Sequence, residues 1–153
     1  MLRRAVLLLP ILFSIPAANA ASFGADCMME TSAKKDIEGF RECVTDFMNK
    51  TMITGVPDHG ITLMNIGHKR GIIKVDSKIA NISSDDFNKL TLKERHDFLD
   101  IRRIDEINSY CVSIGDVRKV FQDGATFRYY DRDGFLIYMS AVYPEECNTQ
   151  TKK

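Results

Sequence analysis

The sequence predicts an α+β domain, and three observations carry that reading. Apolar residues recur at three- and four-residue steps over 31–53, the period of an amphipathic helix. From Ile107 onward the period falls to two, the period of a strand. Two Asp-Gly pairs, Asp123-Gly124 and Asp133-Gly134, punctuate that second region. Asp-Gly between strand-like runs signals a hairpin, because a type I′ turn needs positive φ. The expected architecture is an N-terminal amphipathic helix and a second short helix packed on an antiparallel sheet, which ends in a three- to four-stranded C-terminal meander.

The chain has 153 residues, 44% hydrophobic and 27% charged, with 21 basic and 21 acidic side chains. That balance excludes a disordered polyelectrolyte and gives no basic signal for nucleic acid. Residues 1–20 read as a cleaved signal peptide. Arg3 and Arg4 form a positive start, an apolar run follows, and Ala18-Asn19-Ala20 ends in small residues. The run is shorter than the roughly 20 apolar residues that span a bilayer, so no stable membrane insertion is expected after cleavage. Residues 21–147 form the expected single domain, of net charge −2 without Arg3 and Arg4, and 148–153 the expected flexible tail.

The first helix has Ile37, Phe40, Val44, Phe47 and Met48 on one side and Lys34, Lys35, Glu38, Glu42 and Lys50 on the other. Thr31 or Ser32 is placed to cap it, and Gly55 followed by Pro57 to stop it. Residues 61–66 read as a strand, with a short helix capped by Asp58 as the alternative. Ile73, Val75 and Ile79 alternate with Lys74, Asp76 and Lys78, which predicts a half-buried strand with a charged outer face. Residues 81–90 read as a loop. Thr91 and Glu94 form a capping-box pattern at the head of the second helix, about 92–103. Beyond it, Tyr110, Val112 and Ile114 alternate with Cys111 and Ser113. The runs Val117–Gln122, Ala125–Arg132 and Phe135–Tyr143 complete the expected meander.

Cys27, Cys43, Cys111 and Cys147 all follow the signal. An even number in an exported chain predicts two disulfides. Of three connectivities, Cys27–Cys43 with Cys111–Cys147 is favoured, because each bridge closes a loop within one half of the chain. The spacing matches neither a zinc site nor a C-x-x-C redox motif.

No catalytic, metal or cofactor motif is evident. His96 and Asp100 share a helix face at i, i+4, and with His68 they are the first candidates for acid–base work if an enzyme is present. Aligning Gly134 with the glycine of an EF-hand loop puts Tyr129 at the first ligand position and Ser140 at the last, which rejects calcium. No G-x-S-x-G and no phosphate-binding glycine loop occurs. Two glycosylation sequons, Asn49-Lys50-Thr51 and Asn81-Ile82-Ser83, decide nothing about origin.

One surface stands out by counting. If both Asp-Gly pairs are two-residue turns, Arg118 lies opposite Tyr129, and Tyr129 opposite Tyr138. Tyr130, Ile137 and Met139 then fall on the other, more apolar face, which the helix is expected to cover. The strip Arg118–Tyr129–Tyr138 is left outward as a binding face, since Tyr and Arg are enriched in interface hot spots. The sequence therefore predicts a small periplasmic or secreted binding module without catalysis of its own, holding a protein partner in the cell envelope. An inhibitor, an immunity protein or an accessory factor would fit. The alternatives are a hydrolase of cell-wall or polymeric substrates and a small-ligand carrier. The carrier's pocket would lie between helix and sheet and be lined by Phe40, Phe47 and Met48.

Overall fold

The computed structural model describes Cys27 and residues 36–58, 60–113 and 117–152, with only the backbone of Val117 and of 149–152. The expected signal peptide, the expected caps Thr31 and Ser32, and His59 lie outside the described residues.

Helix α1 spans Ile37–Met52 and is capped by Asp36, whose side chain accepts from the Glu38 amide. Its inner side buries Val44, Thr45 and Met48. Strands β1 (Ile61–Lys69) and β2 (Ile72–Ile79) follow as an antiparallel pair, turning through Arg70 at φ 55°. The stretch expected to be a loop contains a short helix, α2 (Ser84–Lys89), with its own capping box between Ser83 and Asp86. Helix α3 (Leu92–Asn108) opens on the expected Thr91–Glu94 box. Arg95 donates back to Leu90 O at 3.2 Å and also reaches Asn88 O, closing the end of α2.

Helix α3 runs past its expected end and continues as a π-helical turn over Ser109–Ser113. A short 3-10 turn, Val117–Lys119, leads to β3 (Gly124–Tyr130) and β4 (Leu136–Val142). A 3-10 segment over Pro144–Lys152 ends the fold and reaches into the stretch expected to fray. Both favoured disulfides are present. Cys27–Cys43 ties the preceding chain to α1, and Cys111–Cys147 ties the end of α3 to the C-terminal segment.

The α+β class holds, with helices packed on a four-stranded sheet of order β1-β2-β3-β4. The sheet is mixed, where an antiparallel one was expected, because β2 and β3 run parallel. Parallel neighbours need a long crossover, and α2 with α3 supplies it. Among the described residues only β3 and β4 remain of the expected meander, and those of 107–122 add no strand to it. The cause is visible in α3. Its inward stripe runs through Arg102, Glu106 and Tyr110, all buried. Two charged residues on that stripe hide the helical period, while Tyr110, Val112 and Ile114 mimic a strand.

The turns differ in kind. Asp133-Gly134 closes the β3–β4 hairpin, with Gly134 at φ +90°. Asp123-Gly124 joins no hairpin. The Asp123 amide donates to Gly71 O at 3.0 Å, and Gly124 opens β3 at φ +118° beside Ile72 of β2. A Cβ at Gly124 would stand 2.4 Å from Val142 O, so only glycine fits.

Helices α1 and α3 lie on one side of the sheet. Opposed residues of paired strands share a face, so Ile66, Ile73, Val75, Ala125, Phe127, Tyr129 and Val142 line one side. Val44 and Met48 of α1 join that core, and Tyr110 and Phe121 sit in it with no exposed surface. At the β1 edge, Asn49 Nδ2 donates to Ile66 O at 2.6 Å, and Asn49 Oδ1 accepts from the Ile66 amide at 2.8 Å. The side-chain amide thus stands in for a neighbouring strand at that residue.

Candidate functional site

The side of the sheet away from the helices follows from the same register. Lys74, Asp76 and Lys78 of β2 stand beside Thr126, Arg128 and Tyr130 of β3, and Arg128 stands beside Met139 of β4. This is the charged outer face expected for β2. Lys69, Lys74, Lys78 and Arg128 meet a single carboxylate, Asp76, which takes two hydrogen bonds from Arg128. At the hairpin end of this face Phe135, Leu136 and Met139 are 66%, 51% and 59% exposed. A basic face with an apolar rim thus sits on a chain of no net positive charge.

The turn that presents this rim is fixed by Asp131. Asp131 Oδ1 accepts from the amides of Asp133 and Phe135 at 2.9 and 2.8 Å. Its Oδ2 accepts from the amide and hydroxyl of Ser84 at 2.8 and 2.7 Å. Burial alone would raise this carboxyl, but the bonds from Ser84, Phe135 and Asp133 outweigh it and hold the pKa at about 2.

The expected strip is not assembled as an outward face. Tyr129 does lie opposite Tyr138, with the rings stacked 5.7 Å apart, but that pair faces the helices. Tyr129 is 6% exposed and Tyr138 is half-buried. Arg118 lies outside the sheet, on the 3-10 turn, where its charge acts on Tyr110. The assignment of faces is inverted by one residue, and the parallel neighbour explains why. Ile73 and Val75 must be buried, so Ala125, Phe127 and Tyr129 beside them are buried too. The Tyr130–Met139 side is left out.

Beneath α3 the covered face holds a cleft of about 110 Å³. Its apolar walls include Met52, Leu63, Val75 and Phe127, and its polar lining includes Asp105 and Glu106. It lies beyond the C-terminal end of α1, not among the expected Phe40, Phe47 and Met48. Glu106 is 1% exposed. Its Oε2 accepts from Ser140 Oγ and lies 3.8 Å from Arg103 Nη1, while its Oε1 has no hydrogen-bond partner. Burial pushes the Glu106 carboxyl above the usual range, against the opposing pull of Ser140, Tyr129 and the two arginines. Burial likewise raises Asp105, although Arg102 Nη2 approaches Asp105 Oδ2 at 2.9 Å. Burial and the charge of Glu106 push the Tyr129 hydroxyl upward as well. Sequence reasoning missed Glu106. Its only signal is a carboxylate four residues from Arg102 and from Tyr110, on a helix whose inner stripe is partly charged.

The expected acid–base candidates are placed apart. His96 and Asp100 are exposed on α3, whereas His68 lies on β1, its Nδ1 3.5 Å from Glu38 Oε2 and its ring against Phe121. Among the described residues no group of three His, Cys, Asp or Glu could hold a metal ion, and no helix is long and apolar enough to cross a membrane. No known family model, curated protein sequence or solved structure matches the chain.

Proposed function

We propose that the mature chain is a small exported binding module without catalysis of its own, and that it holds a protein partner of the cell envelope on its open sheet face. One observation carries this reading: Phe135, Leu136 and Met139 are more than half exposed near Lys74 and Lys78, on the sheet face that α1 and α3 leave uncovered. Apolar residues flanked by charge are the make-up of a protein interface, with the apolar part supplying affinity and the charge supplying orientation and encounter rate. The partner surface that fits is acidic with an apolar centre. The signal-like start, together with two disulfides, supports export to the periplasm or beyond.

The test is an affinity capture from native envelope extract with the mature tagged chain, read by mass spectrometry. A stoichiometric partner should be retained by the wild type and lost with Lys74→Glu/Lys78→Glu and with Met139→Asp. Cross-links from the captured partner should fall on Lys74 or Lys78. A captured protein that ignores these changes, or no captured protein at low salt, would overturn the reading. Tyr129→Ala is unsuitable as a probe, because it removes a core side chain.

A further inference from the structure

The cleft beneath α3 lies on the covered side of the sheet, so a partner held on the open face does not reach it. Native cores are close-packed and keep few voids larger than a water molecule. A cleft of about 110 Å³ is well above that size. It opens to solvent beside the segment between α1 and β1, where Thr54, Gly55, Val56 and Asp58 line it and are exposed. Inside, Met52, Leu63, Val75 and Phe127 form an apolar wall. The charged groups that border this wall are already engaged. Arg102 lies against Asp105, and the Glu106 carboxyl is buried among Ser140, Tyr129 and Arg103. What the interior offers an entering molecule is contact with carbon.

We infer that the cleft binds an uncharged aliphatic molecule of about four or five carbons, because roughly 150 Å³ holds one benzene in an engineered lysozyme and this cleft is somewhat smaller. The molecule enters past Val56 and leaves its polar end at the mouth. A charged end drawn inside would lose its hydration without gaining a partner. At the mouth the Asp58 carboxylate further disfavours an anion. Each methylene that reaches the apolar wall adds affinity until the wall is covered. A longer chain then projects into solvent and gains nothing more.

The experiment titrates the disulfide-bonded mature chain at neutral pH with the straight-chain alcohols from 1-propanol to 1-octanol, and with pentanoate and pentylammonium. Binding is followed by the NMR shifts of Leu63, Val75 and Phe127. Affinity should rise about fourfold per methylene as far as 1-pentanol and then level off. Both ions should bind about tenfold or more weakly than 1-pentanol. Val75→Phe, which fills the cleft, should remove the shifts at Leu63 and Phe127. An affinity that keeps rising to 1-octanol would mark adsorption to exposed apolar surface and overturn the assignment. So would an ion that binds as tightly as the alcohol, or the absence of shifts at the three residues. These outcomes are read on the wild type and need no variant. Lys74→Glu alters only the open face and should leave the titration unchanged, which keeps it separate from the partner capture. A loss of alcohol binding in that variant would place the alcohol on the open face and also overturn the assignment.

Discussion

Arg128 meets Asp76 across two parallel strands, with Nε donating to Oδ1 at 2.6 Å and Nη2 donating to Oδ2 at 2.7 Å. The two residues stand at one register position, and both belong to the side of the sheet away from α1 and α3. The pair therefore agrees with the apolar side chains about which face is outward. Arg128 keeps a third of its side chain in solvent, whereas Asp76 is buried beneath it, so solvent screens the pair from the arginine side. A double-mutant cycle with Arg128→Met and Asp76→Asn should give a coupling of about 1 kcal/mol that weakens in high salt. A coupling near zero would remove the pair from the determinants of register.

Gly124 answers a different constraint. Its φ is +118°, and a Cβ added there would meet Val142 O at 2.4 Å, which leaves no space for alanine. Gly124→Ala should lower unfolding free energy by about 2–4 kcal/mol in urea titrations. A loss below about 1 kcal/mol would show that β3 can start elsewhere.

Glu106 makes stability depend on pH in an unusual direction for a carboxylate. Its folded pKa is raised above the ordinary value of 4.5, so the folded state keeps a proton that the unfolded chain releases. The stability that this supplies is complete below 4.5 and is lost as pH rises through the folded pKa. Glutamine keeps the shape and does not titrate. Glu106→Gln should thus be the more stable protein at pH 8, by about 1 kcal/mol, and lose that advantage toward pH 4. Paired melting curves across this range check the sign.

Asp131 works in the opposite sense. Its folded pKa of about 2 lies below the ordinary 3.8, so its contribution is complete above that value and is lost as pH falls toward 2. Asp131→Asn puts an amide group among the four donors that the carboxylate accepts. The variant should melt below the wild type at neutral pH, with the gap closing between pH 4 and pH 2. A constant gap would assign the effect to packing instead of charge.

The bridges contribute through the unfolded chain. Cys111–Cys147 spans 36 residues and Cys27–Cys43 spans 16, so loop entropy assigns them about 4 and about 3 kcal/mol. Replacing each pair by serine should reproduce that order in urea midpoints, the longer loop costing more.

How much of this was legible in the sequence depends on where charge sits. Lys74, Asp76 and Lys78 alternate with apolar residues, and the outward face of β2 follows directly from them. The Thr91–Glu94 box was legible as local chemistry at short spacing, and the disulfide pairing because each bridge closes a loop within one half of the chain. Helix α2 has a local signal too, in Ser83 and Asp86, but its six residues carry no apolar period and read as a loop. The parallel β2–β3 pair was not legible. It depends on α3 being long, and α3 hides its length by burying Arg102 and Glu106 in place of apolar residues. The cleft was lost with it, since α3 covers it and one of those two buried charges lines it.

The bracket that Asn49 places around Ile66 bears on how the protein is made. Asn49 opens the sequon Asn49-Lys50-Thr51, and the nitrogen that a glycosylating enzyme would modify is the one that donates to Ile66 O. A sugar added there before folding would occupy the clamp and expose the edge of β1. A host that decorates such sequons during secretion would yield a chain whose first strand lacks its guard, whereas a host without that machinery leaves the amide free to close it.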